Sequence, residues 1–599
     1  MVLAWLLLLG PPLFAQVHLG DTSTTVNGVV SAGYTADLGN KTSSDHNWLV
    51  GGTASFAGSY YNPNFLSYNG VVYLNQSRAN SNYQSISNTS GFSVATNIFN
   101  GSSFPGSVGF SKSFDSEGSY NLPGVANYVT HGNNDALNLG WSENLPDFPS
   151  LTANFLMGSS NYSVYGSNSE GKNNFRSLTL HSSYSLDQFK MGAFYTIGNS
   201  HSLIPDLVEN GTNLKTSTDT SGEGFNVGHR LPLQGAFALS FNRSTWNASY
   251  LGVGNNGTID IVNTMASVHP SNRFSLSLNA NFSDNLSGQV NQSVIASGGT
   301  AIVNTSQSSN SVDLLAVASY TPAPNLQTSA QVERRSQLFM GETYGVTSYG
   351  GGASYAHPLL GGSFNASLFA TGNTDDKTGD NTVSFTTSSN YSASIGPWSV
   401  NAMFSYAQNV QTLLVTYMNS YYTFSGNARR KWGMFSVNAG ASGARTGLTA
   451  QSGTVNSSQS YRAGIGYGAY LSASGSYSRS SGQALATGAG LISVTGAPIP
   501  TSLATLYGGE SESASLASSP VKGLLVSTTW AQSHANTSTS GNGASTQFNE
   551  LTSYVQYQVR KLYFNSGYSR LTQGFGGTAT SSQTLSSYYF GISRWFSFF

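Results

Sequence analysis

The sequence predicts an all-β chain closed into one large antiparallel transmembrane barrel, and three observations carry that prediction. Charged residues make up only 8% of the 599 residues while aromatics make up 12%, against about 25% charge in ordinary soluble proteins. Beyond Leu9 no apolar run approaches the roughly eighteen residues that a membrane helix needs. Apolar and polar residues instead alternate with period two over segments of about eight to thirteen residues, bracketing the roughly 9–11 residues with which a tilted strand crosses a bilayer.

The alternation repeats along the chain. Trp48, Val50, Gly52, Ala54, Phe56, Gly58 and Tyr60 form one face, and Gly51, Thr53, Ser55 and Ser59 the other. Phe274, Leu276, Leu278, Ala280 and Phe282 alternate with Ser275, Ser277, Asn279, Asn281 and Ser283. Trp398, Val400, Ala402, Phe404 and Tyr406 alternate with Ser399, Asn401, Met403 and Ser405, and Phe435, Val437, Ala439 and Ala441 with Ser436, Asn438 and Ser442. Aromatics at the ends of these faces with small or aliphatic residues between them match the girdles at the two membrane–water interfaces.

Tight connections are expected at Asn62-Pro63-Asn64, Ser185-Leu186-Asp187, Leu231-Pro232, His269-Pro270-Ser271, Thr321 to Pro324, His357-Pro358, Gly396-Pro397, Asn427 to Arg430, and Arg560-Lys561. Longer polar stretches lie at Asp115–Asn134, Ser200–Thr218, Ser287–Ser308, Gly372–Asp380, Ser481–Glu510 and Ser533–Gln547. This rhythm predicts short periplasmic turns and longer external loops. Segments between turn signals number about 26, within a range of roughly 24 to 28.

Residues 1–15, MVLAWLLLLGPPLFA, read as a secretory signal peptide, an apolar run closed by a small residue. Residues 16–599 are then a single barrel, with no stretch set aside for a plug domain. The chain has no cysteine, which excludes disulfides, thiolate metal sites and covalently attached haem. With 24 basic and 25 acidic residues there is no basic face for nucleic acid.

The last twelve residues, YYFGISRWFSFF, are an aromatic strand ending on Phe599. They resemble the closing strand of Gram-negative outer membrane β-barrels, with Ser597 standing where members of that class carry an apolar residue. The resemblance implies a bacterial outer membrane location and outer membrane lipids around the barrel. It also implies an assembly signal, carried by Tyr589, Trp595, Phe596, Phe598 and Phe599 and read by the barrel-assembly machinery. The terminal strand is expected to pair with the segment near Thr24–Asp37. The resemblance extends to porins at class level and names no specific family; the plug, periplasmic and N-terminal domains of other large-barrel families have no counterpart here.

No catalytic constellation stands out, so no enzyme activity, cofactor or metal is expected. The nine histidines are scattered. Asn373 to Asn381 offers acidic and amide oxygens but lacks the calcium-loop spacing and contains Lys377. Lumen-lining candidates are Gln327, Gln331, Glu333 and Arg335 on the polar face of one strand, with His181, Lys112, Lys190 and Arg462. Glu333 and Arg335 either tune the selectivity of a pore or pair with neighbours across the wall; both readings stand. Because 16–18 strands already enclose an aqueous channel, about 26 would need narrowing, either by inward loops, with Ser481–Glu510 the first candidate, or by a partner.

The leading expectation is a porin-like channel for polar solutes or polymers. The alternatives are a sheath for a guest lipoprotein or cytochrome and a surface adhesion scaffold. A periplasmic or lumenal protein partner is compatible with each.

Overall fold

The computed structural model describes residues 17–19, 21–39, 45–78, 87–120, 128–164, 170–204, 214–250, 253–289, 307–415, 418–448, 455–483, 506–539, 542–576 and 581–598. Residues 1–15, expected to be a signal peptide, Phe599 and most of Ser481–Glu510 lie outside these residues.

The chain forms β1 (Val17–Leu19), β2 (Thr22–Gly39), β3 (Asp45–Tyr60), β4 (Leu66–Arg78), β5 (Ser87–Ile98), β6 (Gly106–Tyr120), β7 (Tyr128–Glu143) and β8 (Ser150–Val164). It continues through β9 (Glu170–Leu186), β10 (Phe189–Ile204), β11 (Leu214–Leu231), β12 (Gly235–Tyr250), β13 (Val253–Ser271), β14 (Phe274–Asp284) and β15 (Asn310–Ala323). Next come β16 (Leu326–Phe339), β17 (Glu342–Leu359), β18 (Gly362–Asp375), β19 (Asn381–Ile395), β20 (Trp398–Gln411), β21 (Met418–Trp432) and β22 (Phe435–Leu448). The last are β23 (Val455–Tyr467), β24 (Leu471–Gln483), β25 (Leu506–Ser518), β26 (Leu524–Thr539), β27 (Asn542–Val559), β28 (Leu562–Gly576) and β29 (Ser581–Phe598).

Each strand from β2 onward pairs antiparallel with its successor, and β29 returns to β2. The closing register runs from Val26↔Phe598 to Gly39↔Leu585. It satisfies both sheet edges and makes a closed barrel of 28 strands; the short β1 folds back on Thr22–Thr24 beside it. The expected pairing near Thr24–Asp37 is therefore observed, shifted by two residues.

The strand number corrects the central expectation of about 26. Some turns carry no Pro or Asn punctuation. At Met340–Gly341 both central residues take positive φ, 51° and 81°, the geometry of a tight hairpin turn. Gly468–Tyr470 is another turn without such a signal. Asn427–Arg430, expected to be a turn, lies inside β21, whose turn comes at Gly433–Met434. The strands are also longer than expected, with β13 reaching 19 residues. Their distal halves are polar on both faces, so period two leaves no hydrophobic contrast there to read.

One rim carries thirteen connections of two to seven residues, all described, and the N-terminal end of β2 with the C-terminal end of β29. The opposite rim carries the two longest connections, 285–309 and 484–505. The short-turn rim is called inner below and the other outer.

The two faces of the wall differ as strand alternation requires. Trp48, Val50, Leu276, Leu278, Val332, Tyr349, Phe435, Ile465, Leu516, Phe590 and Ile592 all point outward and are exposed by about two-fifths or more. Trp141, Tyr320, Tyr355, Trp398, Trp432 and Tyr557 mark the inner margin of this apolar belt, and Tyr422, Tyr461 and Tyr588 lie toward its outer margin. Such a face is stable when lipid, not water, covers it. The opposite face is Ser-, Thr- and Asn-rich and lines the lumen. No helix is long and apolar enough to cross a membrane among the described residues.

Candidate functional site: a narrowed lumen

At two places on the outer half of the barrel the chain turns inward onto its own wall. The larger begins at a bulge in β20, where the register with β21 shifts between Ala407 and Val410 and Asn409 takes a φ of 56°. An extra residue bends the bulged strand, and asparagine tolerates this left-handed conformation better than most residues. The bend is pinned from β19. The Ser384 hydroxyl donates to the Asn409 carbonyl at 2.6 Å, and the Asn409 amide to the Val383 carbonyl at 3.2 Å.

Beyond the bulge, Thr412–Val415 crosses the lumenal wall to β16. Gln337 clamps it from both sides: Nε2 donates to the Leu413 carbonyl at 2.8 Å, and Oε1 accepts the Val415 amide at 3.0 Å. Arg335 donates to the Thr412 carbonyl at 3.2 Å. Leu414 and Val415 are buried, and so are Gln337, Phe339, Val346, Ser348, Asn373 and Ala407. Burial of so many lumenal residues on the wall of a wide barrel shows how closely the segment packs.

The smaller inward segment is the helical turn Leu286–Gln289. It is held by Ser309, whose carbonyl accepts the Asn285 amide at 2.7 Å and whose hydroxyl accepts the Ser287 amide at 2.8 Å. Asn285 donates to the Thr258 carbonyl at 2.8 Å. Trp246 and Ile259, lumenal residues of β12 and β13, are buried at this place. A third buried lumenal patch spans β26 to β29 and holds Phe548, Glu550, Ser569, Leu571, Gln573 and Tyr589.

The expected lumen residues fall into three groups. Gln327, Gln331, Glu333 and Arg335 do share the lumenal face of β16, opposite the outward Val332. Glu333 and Arg335 pair, as one of the two readings had it. Arg335 bonds Glu333 at 2.7 Å and reaches Asp313 on β15 at 3.5 Å while holding Thr412. It positions the inward segment more than it faces the pore. His181, Lys190 and Arg462 are lumenal and exposed, and Lys190 and Arg462 are cationic groups that a passing solute meets. Arg462 lies across Gly440, where a Cβ would come within 2.7 Å of its Nε.

Lys112 is a correction. It shares the outward face with Val108, Phe110 and Phe114, and its ammonium sits over the Phe114 ring at 5.3 Å. A lysine in an apolar stripe keeps its stem on the stripe while its head reaches polar surroundings, and here the stripe, not the charge, fixes the face. The described aromatics of the terminal strand divide between the two faces. Tyr588, Phe590 and Ile592 are exposed outward, so alternation puts Arg594 on that face and Trp595, with Tyr589, on the lumenal one. Phe596, Ser597 and Phe598 pair with Gly28, Asn27 and Val26 of β2.

At the outer rim, in the turn after β18, the carboxylates of Asp375 and Asp376 are engaged by the protein. Asp375 accepts the amides of Lys377 and Thr378 at 2.8 and 2.9 Å. Lys377 pairs with Glu342, and Asp376 pairs with Arg334. No group of three metal-ligating side chains occurs among the described residues. The Arg334 guanidinium beside Asp376 holds its carboxyl below the usual aspartate range. A depressed carboxylate stabilises the fold above its unfolded pKa, and that contribution is lost as pH falls through the folded value. The stability gap between the native protein and Asp376→Asn should therefore be present at neutral pH and close under strong acid, below the usual aspartate range. Thermal unfolding at both pH values checks this; a gap unchanged in acid contradicts it.

No family model matches the chain, and no curated protein is similar to it. Among solved structures, the FrpB iron transporter of Neisseria meningitidis aligns at 10% identity and a TM-score of 0.36, covering 96% of this chain and 81% of that one. The copper transporter OprC aligns at 10% identity and 0.39, covering 72% and 75%. The P pilus usher PapC translocation pore aligns at 13% and 0.33, covering 82% and 98%. Likeness this low carries no argument about what passes through this barrel. The chain's own geometry, a closed wall with an apolar outer belt and a polar lumen, is that of a large outer membrane β-barrel.

Proposed function

We propose that the chain spans a bacterial outer membrane and acts as a porin-like channel for polar solutes or polymers, its bore narrowed by segments of its own wall. The observation that carries this reading is the Thr412–Val415 segment clamped by Gln337 on the lumenal face of β16. A barrel of 28 strands left open would breach the membrane barrier, since 16–18 strands already enclose a channel. Inward segments that stay attached to the wall reduce the bore while leaving a polar path. Among the described residues, nothing but these segments and the turns lies off the barrel sheet.

The exposed lumenal cations Lys190 and Arg462 support a preference for anions, because fixed charge in a low-dielectric channel concentrates counter-ions. Neutralising both, as Lys190→Gln with Arg462→Gln, is expected to shift the reversal potential in a salt gradient toward cations. An unchanged reversal potential removes these residues from the selectivity of the pore. A sheath for a guest protein remains the second reading, supported by the width of the barrel alone. Recovery of a stoichiometric guest with the barrel from membranes would favour it over an autonomous channel.

A further inference from the structure

Six arginines on different parts of the wall occupy the same level of its outer face. Gly235 to Arg243, Leu326 to Arg334, Leu471 to Arg479 and Leu562 to Arg570 are steps of eight residues from the inner end of a strand, and Phe435 to Arg445 and Leu186 to Arg176 are steps of ten. Even steps place each arginine on the face of the outward residue it is counted from. Below them run apolar or small residues, as in Phe237, Leu239 and Phe241 under Arg243, or Ala330 and Val332 under Arg334. A rise of about 3.3 Å per residue and a tilt near 40° put the arginines roughly 20–25 Å above the inner turns. An apolar band about 25 Å tall ends at that height. The collar therefore lies where lipid phosphates lie.

The six divide by their neighbours. Arg243 grips Asp260 with two hydrogen bonds of 2.7 and 2.8 Å, Arg334 pairs with Asp376, and Arg479 lies 3.3 Å from Glu510. The cross-strand neighbours of the other three are uncharged: Met157 and Asn199 for Arg176, Tyr422 and Ser457 for Arg445, Leu551 and Ser586 for Arg570. Arg176 spends its Nε on Asn199 at 3.0 Å, leaving its terminal nitrogens for another acceptor. A guanidinium presents a planar fork that matches phosphate oxygens, and a carboxylate already in the fork excludes them.

We propose that Arg176, Arg445 and Arg570 are binding sites for the phosphates of outer-leaflet lipids, whereas Arg243, Arg334 and Arg479 are self-neutralised and are not. The proposal rests on the membrane-spanning reading. Since hydrogen bonds to a charged group are the stronger ones, loss of the three forks should weaken retention roughly tenfold or more.

The test is native mass spectrometry of the detergent-purified barrel with added bisphosphorylated lipid A. The triple variant Arg176→Gln, Arg445→Gln, Arg570→Gln should retain at least about tenfold less of it, and Arg479→Gln should match the native protein. Dephosphorylated lipid A should bind the native barrel as weakly as the triple variant binds the intact lipid. Equal retention by the triple variant overturns the proposal, as does equal binding of the dephosphorylated lipid, which assigns retention to acyl contacts. Heat-modifiable gel mobility reports the fold separately. A native protein that never folds in detergent or lipid removes the membrane-spanning reading itself, while a folded native barrel that ignores the phosphates removes only this one.

Discussion

Replacing Gln337 with alanine should release the Thr412–Val415 segment and raise single-channel conductance. Among the described residues, Gln337 is the one side chain that both donates to and accepts from this segment, and its own environment is buried. Truncation leaves the Leu413 carbonyl and the Val415 amide without their partner, at a cost of about 1–3 kcal/mol for each buried group. Those groups recover their bonds only by moving into water, which means leaving the wall. The barrel itself does not depend on the clamp, because β15, β16 and β17 keep their ladders. The expected record is a higher conductance with more frequent transitions between levels, in a barrel of unchanged heat-modifiability. A Gln337→Glu control keeps the carbonyl-type acceptor and loses the donor, so an intermediate effect is expected. Native-like conductance in both variants would show that the segment does not set the bore.

A valine at Gly33 is expected to block closure of the barrel. Gly33 sits on β2 opposite Gly591 on β29, and the Tyr589 side chain lies over both. A Cβ at Gly33 would stand 2.9 Å from the Phe590 carbonyl oxygen and 2.9 Å from the Tyr589 ring, and one at Gly591 would collide with the Tyr589 hydroxyl. The ring can swing away but the carbonyl is part of the closing ladder, so two branched methyl groups there push the terminal strands apart. An open seam leaves two rows of unpaired backbone groups within a membrane, several kcal/mol for each group. Little folded barrel should be recovered from membranes for Gly33→Val, with Gly33→Ala intermediate. Full assembly of Gly33→Val would mean that the seam tolerates a register other than the one described.

Much of this was legible in the sequence because it depends on period two. The outward faces through Trp48–Tyr60, Phe274–Phe282 and Trp398–Tyr406 and the lumenal face of β16 follow from alternation, while the pairing of the terminal strand with β2 follows from the resemblance that the aromatic end of the chain carries. What stayed hidden depends on contacts between distant strands. The Gln337 clamp joins residues 76 and 78 positions apart, and nothing local sets Gln337 or Leu414 apart from the other Gln and Leu residues of the chain. Asn409 alone gives a local signal, an asparagine in the polar end of a strand, and that signal is shared with many others. Lys112 faces outward because its register with Phe110 and Phe114, not its charge, sets its face. The two charged pairs at the outer rim, Arg334 with Asp376 and Lys377 with Glu342, likewise required the turn at Met340–Gly341 to be known first.

The central claim is that this barrel is a channel narrowed from within, and planar-bilayer recording of the purified, folded, full-length protein tests it most directly. Discrete conductance steps that grow when Gln337 is replaced by alanine are the predicted result. A folded and inserted barrel that passes no current, alone and in the Gln337→Ala form, would contradict it.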